Sequence, residues 1–568
     1  MRGLVLLGAA IWIGAEGLGF LHLLRPVPLA VWWALVAAAA WRFRPRLKFD
    51  WPRDPVVRVC GAAIAVILVL TAVVAAFSPP NSADAMAYHM PRVVYWAQQG
   101  SVQFFPTTYY NQVMLQPFAE YAMLQTYVLS GGDHFVNFVQ WFASVGCIVG
   151  VAAVAGAMEC GPRGQAFAAL FCATLPSGIL ASTGAKNDYF LAMWLVAAVY
   201  FLLRGGRVEL AGALGFAMLT KATAYLFAPW LAVVVGVRFW RKLWIAVPIA
   251  LAINAPLYVR NYRLSGSVLG FDSASADGAY RWRNEAPGWK ATVSNFLRHG
   301  SEQLGARDPG WNDRVYGAVM AAHRVLAIDP GDPATTWPHT VYGPPVNANH
   351  EANAPNRWHL LVLALVFCLA FWRRDRVRVL YALSLLCGFV AFCAVLKWQP
   401  FSARFFLPLF VLGSPLAGVL EEVPLAMSAP VLLFLIAGAR PALFENWVRP
   451  LKGPRSVLSV PRERQYFSDM GQWGNRTTYE KTVDVVSALD CGTVGIDIVN
   501  LQLEYPLQAM LRARKPGIRF THTGPACVVV CLDCAGDARR LAAHPGYGRA
   551  LTVDRFLVLD QNSVLSNE

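Results

Sequence analysis

Apolar runs of about 20 residues recur through the first 440 positions of this 568-residue chain, each long enough to cross a hydrocarbon core roughly 30 Å thick. No other feature narrows the fold as far. The chain is 56% hydrophobic and only 15% charged, where a soluble domain carries about a quarter. The expected class is an α-helical polytopic membrane protein of about 13 transmembrane helices with a small C-terminal α/β extracytoplasmic domain. The spans fall at roughly 3–23, 27–42, 56–77, 134–157, 165–182, 187–203, 209–221, 223–238, 243–262, 357–373, 379–397, 405–420 and 424–442. The first lacks a small-residue cleavage site and is read as retained.

A net charge of +15 would suit nucleic acid, but the placement of the basic residues excludes that class. They cluster in short loops, "RFRPRLK", "RGGR", "RFWRK" and "WRRDRVR". Putting all four on the cytoplasmic side gives a consistent alternation. Segments 78–133, 263–356 and 443–568 then lie outside, the last as a separate domain after a transmembrane domain 1–442. The apolar stretch "LQPFAEYAMLQTYVLSG", 115–131, would reverse that alternation if it were a span. Its Gln116, Glu120 and Gln125 instead suggest a helix lying at the outer surface.

The polar tail alternates helix-like stretches with β-rich runs, "TVGIDIV", "IRFTHT", "ACVVVCL" and "RFLVLD", the pattern of a small α/β domain. Seven cysteines lie in or beside apolar segments as small hydrophobic filler. Cys491, Cys527, Cys531 and Cys534 fall in the tail. A zinc site prefers two C-x-x-C knuckles and only one such spacing exists, so one or two disulfides are expected, with the pairing open. "NRT" at 475–477 matches a glycan-acceptor pattern and is discounted for a bacterial chain.

Two carboxylates stand where outer loops meet spans: Asp84, just after the third, and Asp188, opening the sixth. A membrane-embedded Asp costs about 3 kcal/mol on insertion scales, so such a group needs water, a partner or a function. Five cations share that face: Lys221, Arg260, Arg263, Lys397 and Arg404. Snorkelling explains any one of them. Together, on the face the charge rule leaves poor in cations, they call for an anion, and a lipid phosphate fits. An acid facing cations suits sugar transfer from a polyprenyl phosphate. The phosphate leaves without a general acid, the carboxylate deprotonates an acceptor hydroxyl, and Lys or Arg stabilises the departing charge. A two-carboxylate hydrolase would also need a water site, which nothing here specifies.

Five stretches carry a family resemblance: "SADAMAYHMPR", "LQPFAEYAMLQTYVLSGGDHFVNFVQW", "KNDYFLAMW", "LTKATAYLFAP" and "PLYVRNYRLSGSVLG". In these the chain resembles the C-type membrane glycosyltransferases, the superfamily of protein O-mannosyltransferases and lipid A aminoarabinose transferases. "SPPNSADAMAYHM" and "LKWQPFSARFFLPLF" resemble a bacterial subgroup of it. The resemblance implies a multi-pass enzyme of the bacterial inner membrane with its site on the periplasmic side. Its partners would be a polyprenyl-phosphate-linked sugar donor, membrane lipid, and a lipid, polysaccharide or protein acceptor. It implies Asp84 as general base, Asp188 near the acceptor or an optional divalent cation, and Lys221 and Arg404 on the lipid phosphate. Several relatives have two adjacent acids where Asp84 is followed by Ala85, so no metal or other cofactor is required.

Tyr88, His89 and Arg92 continue from Asp84, and the i to i+4 spacing puts Tyr88 on its face. They, Glu120 and His134 either touch substrate or pack the helix. His350 and Glu351 either line the acceptor entrance or belong to a solvated loop. Two other classes stay open: a diphosphate-linked glycan ligase, and a lipid or solute transporter. A transporter favours paired repeats and broken helices at the midplane, and the sequence shows no repeat.

Overall fold

The computed structural model describes residues 1–42, 52–236, 240–469, 471–499, 502–522, 524–547 and 549–560. Six helices are long and apolar enough to cross a membrane: Arg2–Phe20, Pro55–Phe77, Phe138–Ala157, Arg376–Val395, Ser402–Glu422 and Leu425–Phe444. Val66, Val69, Phe142, Val149 and Leu433 on them are exposed, which marks the faces that lipid would cover. Pro26–Arg42 and Arg357–Trp372 are shorter apolar helices.

Of the other expected spans, 223–238 runs partly outside the described residues, 243–262 lies within the 26-residue helix Trp240–Ser265, and the rest form shorter helices. The one at 165–182 breaks into Pro162–Ala173 and Pro176–Ala181. Pro176 lacks an amide hydrogen and holds Leu175 in an extended conformation, which ends the first helix. Asp188–Arg204 and Arg207–Thr220 have 17 and 14 residues, and both are buried along most of their length. Among the described residues, then, six of the expected spans are helices long and apolar enough to cross a membrane. The loops "RFRPRLK" and "RFWRK" lie partly outside the described residues.

Helix starts follow their sequence signals. Asp54 caps the Pro55–Phe77 helix by accepting from Val56 N at 2.8 Å, with Pro55 at its first position. Asp375 does the same for Arg376–Val395, accepting from Arg378 N at 3.0 Å.

The three segments expected outside are tied to one another. Asn81 donates to Gln465 O and Ser468 Oγ, Tyr95 to Glu504, and Tyr466 to Asp133. Lys397, at the end of its helix, reaches Glu285. At the other helix ends, Arg163 pairs with Asp54, and Arg373 and Arg378 with Glu422.

The stretch expected to lie on the outer surface does not. Phe118–Ser130 is a helix, but Phe118 to Gln125 are all buried. Its polar residues find partners inside: Gln125 donates to Ile11 O at 2.8 Å and accepts from Trp33 Nε1 at 3.0 Å. Internal hydrogen bonding, not water, satisfies those side chains.

The C-terminal part holds one five-stranded sheet in the order β2-β1-β3-β5-β4. The strands are β1 (Thr493–Asp497), β2 (Arg519–Thr521), β3 (Val528–Leu532), β4 (Arg549–Val553) and β5 (Phe556–Asp560). β1 runs parallel to β2 and β3, while β5 is antiparallel to β3 and to β4. β4 was not among the expected strands; it forms a hairpin with β5 through Asp554, which sits at φ 52°. Val528, Val530, Leu532 and Val558 face the main core. Val529, Cys531, Leu557 and Leu559 form a separate cluster on the opposite face.

The tail cysteines pair as Cys491–Cys527 and Cys531–Cys534. Closing the first loop, 36 residues in separation, restricts the unfolded chain by about 4 kcal/mol. Closing the second, a separation of 3, does so by about 2.

Candidate active site

Asp84 follows the Pro55–Phe77 helix and opens a π-helical turn, Ala85–His89, that leads into the helix Met90–Gln99. Such turns concentrate at functional sites. The Asp84 carboxylate pairs with Arg404, which lies in the tight turn Ser402–Phe406. Tyr88, one turn on, lies beside the same carboxylate, as the spacing predicts. Burial pushes the Tyr88 hydroxyl well above its ordinary range, and the Asp84 charge adds to this. Burial alone would also push Asp84 up. Arg404, then Lys186, His89 and Lys221, outweigh it and hold the carboxyl at about 2.

Asp188 opens the helix Asp188–Arg204, where an acid suits the helix dipole, and accepts from Lys221 Nζ at 2.5 Å. Lys221 ends the helix Arg207–Thr220 in extended backbone. Lys221 Nζ lies 4.7 Å from the Phe405 ring centroid and the Arg404 guanidinium 5.0 Å from it, so one ring carries both cations.

A third pair completes the cluster. Lys186 Nζ stands 2.7 Å from Glu351, which also pairs with Arg449. Burial raises the Glu351 carboxyl, but Arg449 and Lys186 bring it well below the usual range. Arg449 is itself fully buried and donates to Thr183 Oγ1 at 3.0 Å and Asn81 Oδ1 at 2.9 Å. Asp469 accepts from Ala83 N at 2.7 Å and lies 2.8 Å from His350 Nε2, joining the stretch before Asp84 to the 346–356 segment.

Around Asp84, then, stand the carboxylates of Asp188 and Glu351 and the cations Lys186, Lys221, Arg404 and Arg449. Four cations meet three carboxylates, which leaves one positive charge over. As the side chains stand, each carboxylate faces a cation of the chain.

Other expected residues are placed apart. His89 and Arg92 both meet Glu120, each at 2.9 Å. Arg92 is fully buried and also donates to the carbonyls of Asn111, Gln112 and Leu115, stapling its helix to the chain that follows. These bonds account for Arg92 as a packing group. Arg260 is held by both oxygens of Glu16, at 2.9 and 2.7 Å, and by Tyr121. Lys397 is buried against Glu285 at 2.6 Å and Pro333 O at 2.9 Å. Neither joins the Asp84 cluster as the sequence suggests, because each has its own carboxylate. Arg263 and His134 are exposed.

Lys186 and Arg449 were missed. Lys186 sits in the same "KND" as Asp188 and was legible there; Arg449, in "WVRP", carries no local signal.

Besides Arg449 and Asp469, the C-terminal domain reaches this site through a buried acid, Glu504. Glu504 accepts from Tyr95 at 2.7 Å, Gln508 at 2.7 Å and Gln112 at 2.6 Å. Gln112 also donates to Ala87 O, within the turn that follows Asp84, and lies 3.0 Å from His522. Above that turn, Ala274 packs with Ala87, Tyr88, Tyr109 and Trp282. The same 271–283 loop lines a cavity of about 280 Å³ with Asp272, Ser273, Arg281 and Arg283.

No protein-family model matches the chain, and no curated protein does. Solved structures similar to it include ArnT from Cupriavidus metallidurans bound to undecaprenyl phosphate, at 15% identity and a TM-score of 0.49, over 89% of this chain and 99% of that one. Another is the oligosaccharyltransferase of Archaeoglobus fulgidus tethered with an acceptor peptide, at 13% identity and a TM-score of 0.40, over 81% of this chain and 63% of that one.

Proposed function

We propose that the chain is an inverting glycosyltransferase of the bacterial inner membrane. It moves a sugar from a polyprenyl-phosphate donor to a hydroxyl of a lipid, polysaccharide or protein acceptor on the outer face. One observation carries the reading: Asp84, the acid at the start of the first outer loop, is gathered with Asp188, Glu351 and four cations. The motifs that resemble the C-type enzymes run through the same residues.

The donor phosphate competes with Asp84 for Arg404 and with Asp188 for Lys221. Arg404 offers a planar fork to phosphate oxygens, and Lys221 a point charge. Losing Arg404 to the donor frees the Asp84 carboxylate and raises its basicity. Asp84 then takes the proton of the acceptor hydroxyl. That oxygen attacks the anomeric carbon opposite the phosphate, and the carbon–oxygen bond to phosphate breaks with inversion. Lys221 and Arg404 stabilise the charge that develops on the leaving group. The acceptor enters past the 271–283 loop. The reaction needs no metal in this scheme, because Lys221 and Arg404 supply the positive charge on the leaving phosphate.

The test uses purified protein, a radiolabelled polyprenyl-phosphate sugar and a membrane extract as acceptor source. Transfer of label supports the reading. Movement of the lipid across a vesicle bilayer with no transfer would make the chain a transporter instead.

A further inference from the structure

The sheet face turned away from the main core carries a second cluster of reactive side chains. Asp497, the last residue of β1, is in register with Cys531 of β3, so their side chains stand next to each other on one face. Asp497 Oδ2 lies 3.2 Å from Cys531 Sγ, 4.0 Å from Cys534 Sγ and 2.9 Å from His544 Nε2. Its other oxygen, Oδ1, accepts from Arg540 at 2.9 Å. Both cysteines are fully buried. The donor atoms of Asp497, Cys531 and Cys534 all lie within 4.8 Å of one another.

The second disulfide makes the contrast. Around Cys491–Cys527 the sulfurs meet only the carbonyl of Thr493. That bond closes a long loop, as a structural staple should. Cys531–Cys534 closes a three-residue step, adds little constraint, and is surrounded by an acid, an imidazole and a guanidinium.

We propose that these residues form a thiol-gated site for a soft divalent cation of the zinc class. As a disulfide, Cys531 and Cys534 keep the site closed. Two equivalents of a small thiol reduce it, giving two cysteine thiols and one disulfide of the reductant. The cation then displaces both thiol protons to solvent, and the His544 ring proton moves from Nε2 to Nδ1. The donors are two thiolates, one carboxylate oxygen and one imidazole nitrogen, a tetrahedral set suited to zinc. Charge balances: two thiolates and Asp497 carry three negatives, against Arg540 and the divalent ion. Arg540 on Oδ1 orients the carboxylate so that Oδ2 faces the metal. The inference is independent of the transfer reaction.

The full-length protein in detergent is treated with excess dithiothreitol, desalted without oxygen and titrated with Co²⁺, whose bonds to thiolate absorb in the near ultraviolet. Expected are one equivalent of tetrahedral Co²⁺ with a thiolate charge-transfer band, displaced by Zn²⁺, and no band before reduction. Cys531→Ser and Cys534→Ser each abolish the band, Asp497→Asn and His544→Ala weaken Zn²⁺ binding at least tenfold, and the double variant Cys491→Ser/Cys527→Ser keeps it. The wild-type titration alone decides the matter if a variant does not fold. Absence of a thiolate band in the reduced protein would overturn the proposal. So would a Cys531–Cys534 bond that stays unreduced, as read by maleimide mass shift, or binding that persists in Cys534→Ser.

Discussion

Arg404–Asp84 and Arg260–Glu16 are both arginine–carboxylate pairs, largely buried, formed between residues far apart in sequence. Their surroundings differ. Glu16 gives both oxygens to Arg260, and Tyr121 closes the rest, so every charge is matched. Asp84 has one guanidinium and stands in a cluster where the cations Arg404, Lys186, Lys221 and Arg449 pair with the three acids Asp84, Asp188 and Glu351. A matched pair fastens two helices. An unmatched cluster has something left to bind. Sequence position at a span end does not separate the two; the number of partners does.

Substitution at the cluster breaks the comparison most sharply. Removing both phosphate-facing cations, Arg404→Gln with Lys221→Met, is expected to cut transfer by about 10³-fold, the scale of losing preorganised charge stabilisation. Single-turnover rates measure it. Arg404→Lys alone loses less, about tenfold, because the point charge remains while the fork is lost.

The matched pair predicts the opposite phenotype. Arg260→Ala leaves Glu16 buried without its cation and costs about 3 kcal/mol of stability. Thermal unfolding in detergent reads this, while transfer per folded molecule stays unchanged. A selective loss of transfer would bring Arg260 into the site.

The acid limb of the rate profile sharpens the placeholder role of Arg404. In the free protein Asp84 titrates at about 2, below its ordinary value, so its pair with Arg404 is complete above about pH 4 and is lost as pH falls toward 2. The limb of kcat/KM therefore lies below pH 4. When donor phosphate has taken Arg404, the Asp84 value rises, and the limb of kcat moves to higher pH. Coincident limbs would show that Arg404 never leaves Asp84.

Lys397 gives the smallest effect. Glu285 is substantially exposed, so the pair contributes about 1 kcal/mol or less. Lys397→Met should change the unfolding midpoint slightly and transfer not at all.

Much of this architecture was legible because lipid imposes a length and a composition that local reading detects. The Asp84, Asp188, Lys221 and Arg404 quartet was visible as charge at span ends, and the structure brings those four together. What escaped has one cause, partners distant in sequence. Gln125 and Glu120 read as water-facing, yet the chain supplies Ile11 O, Trp33, His89 and Arg92 to meet them inside. Arg449 carries no local signal because its partners, Glu351 and Asn81, are 98 and 368 residues away. Arg260 looked like an anion site because nothing nearby in sequence reveals Glu16. β4 is the exception, since its sheet partner β5 is close in sequence, across a tight turn.

The central claim is that Asp84 is the base of a transfer from a polyprenyl-phosphate sugar. Its most direct test is label transfer by Asp84→Asn beside wild type, with donor binding measured on the same samples. The account predicts at least a hundredfold loss of transfer, within the range for a general base, with donor binding and the unfolding midpoint retained. Wild-type transfer by Asp84→Asn would contradict it.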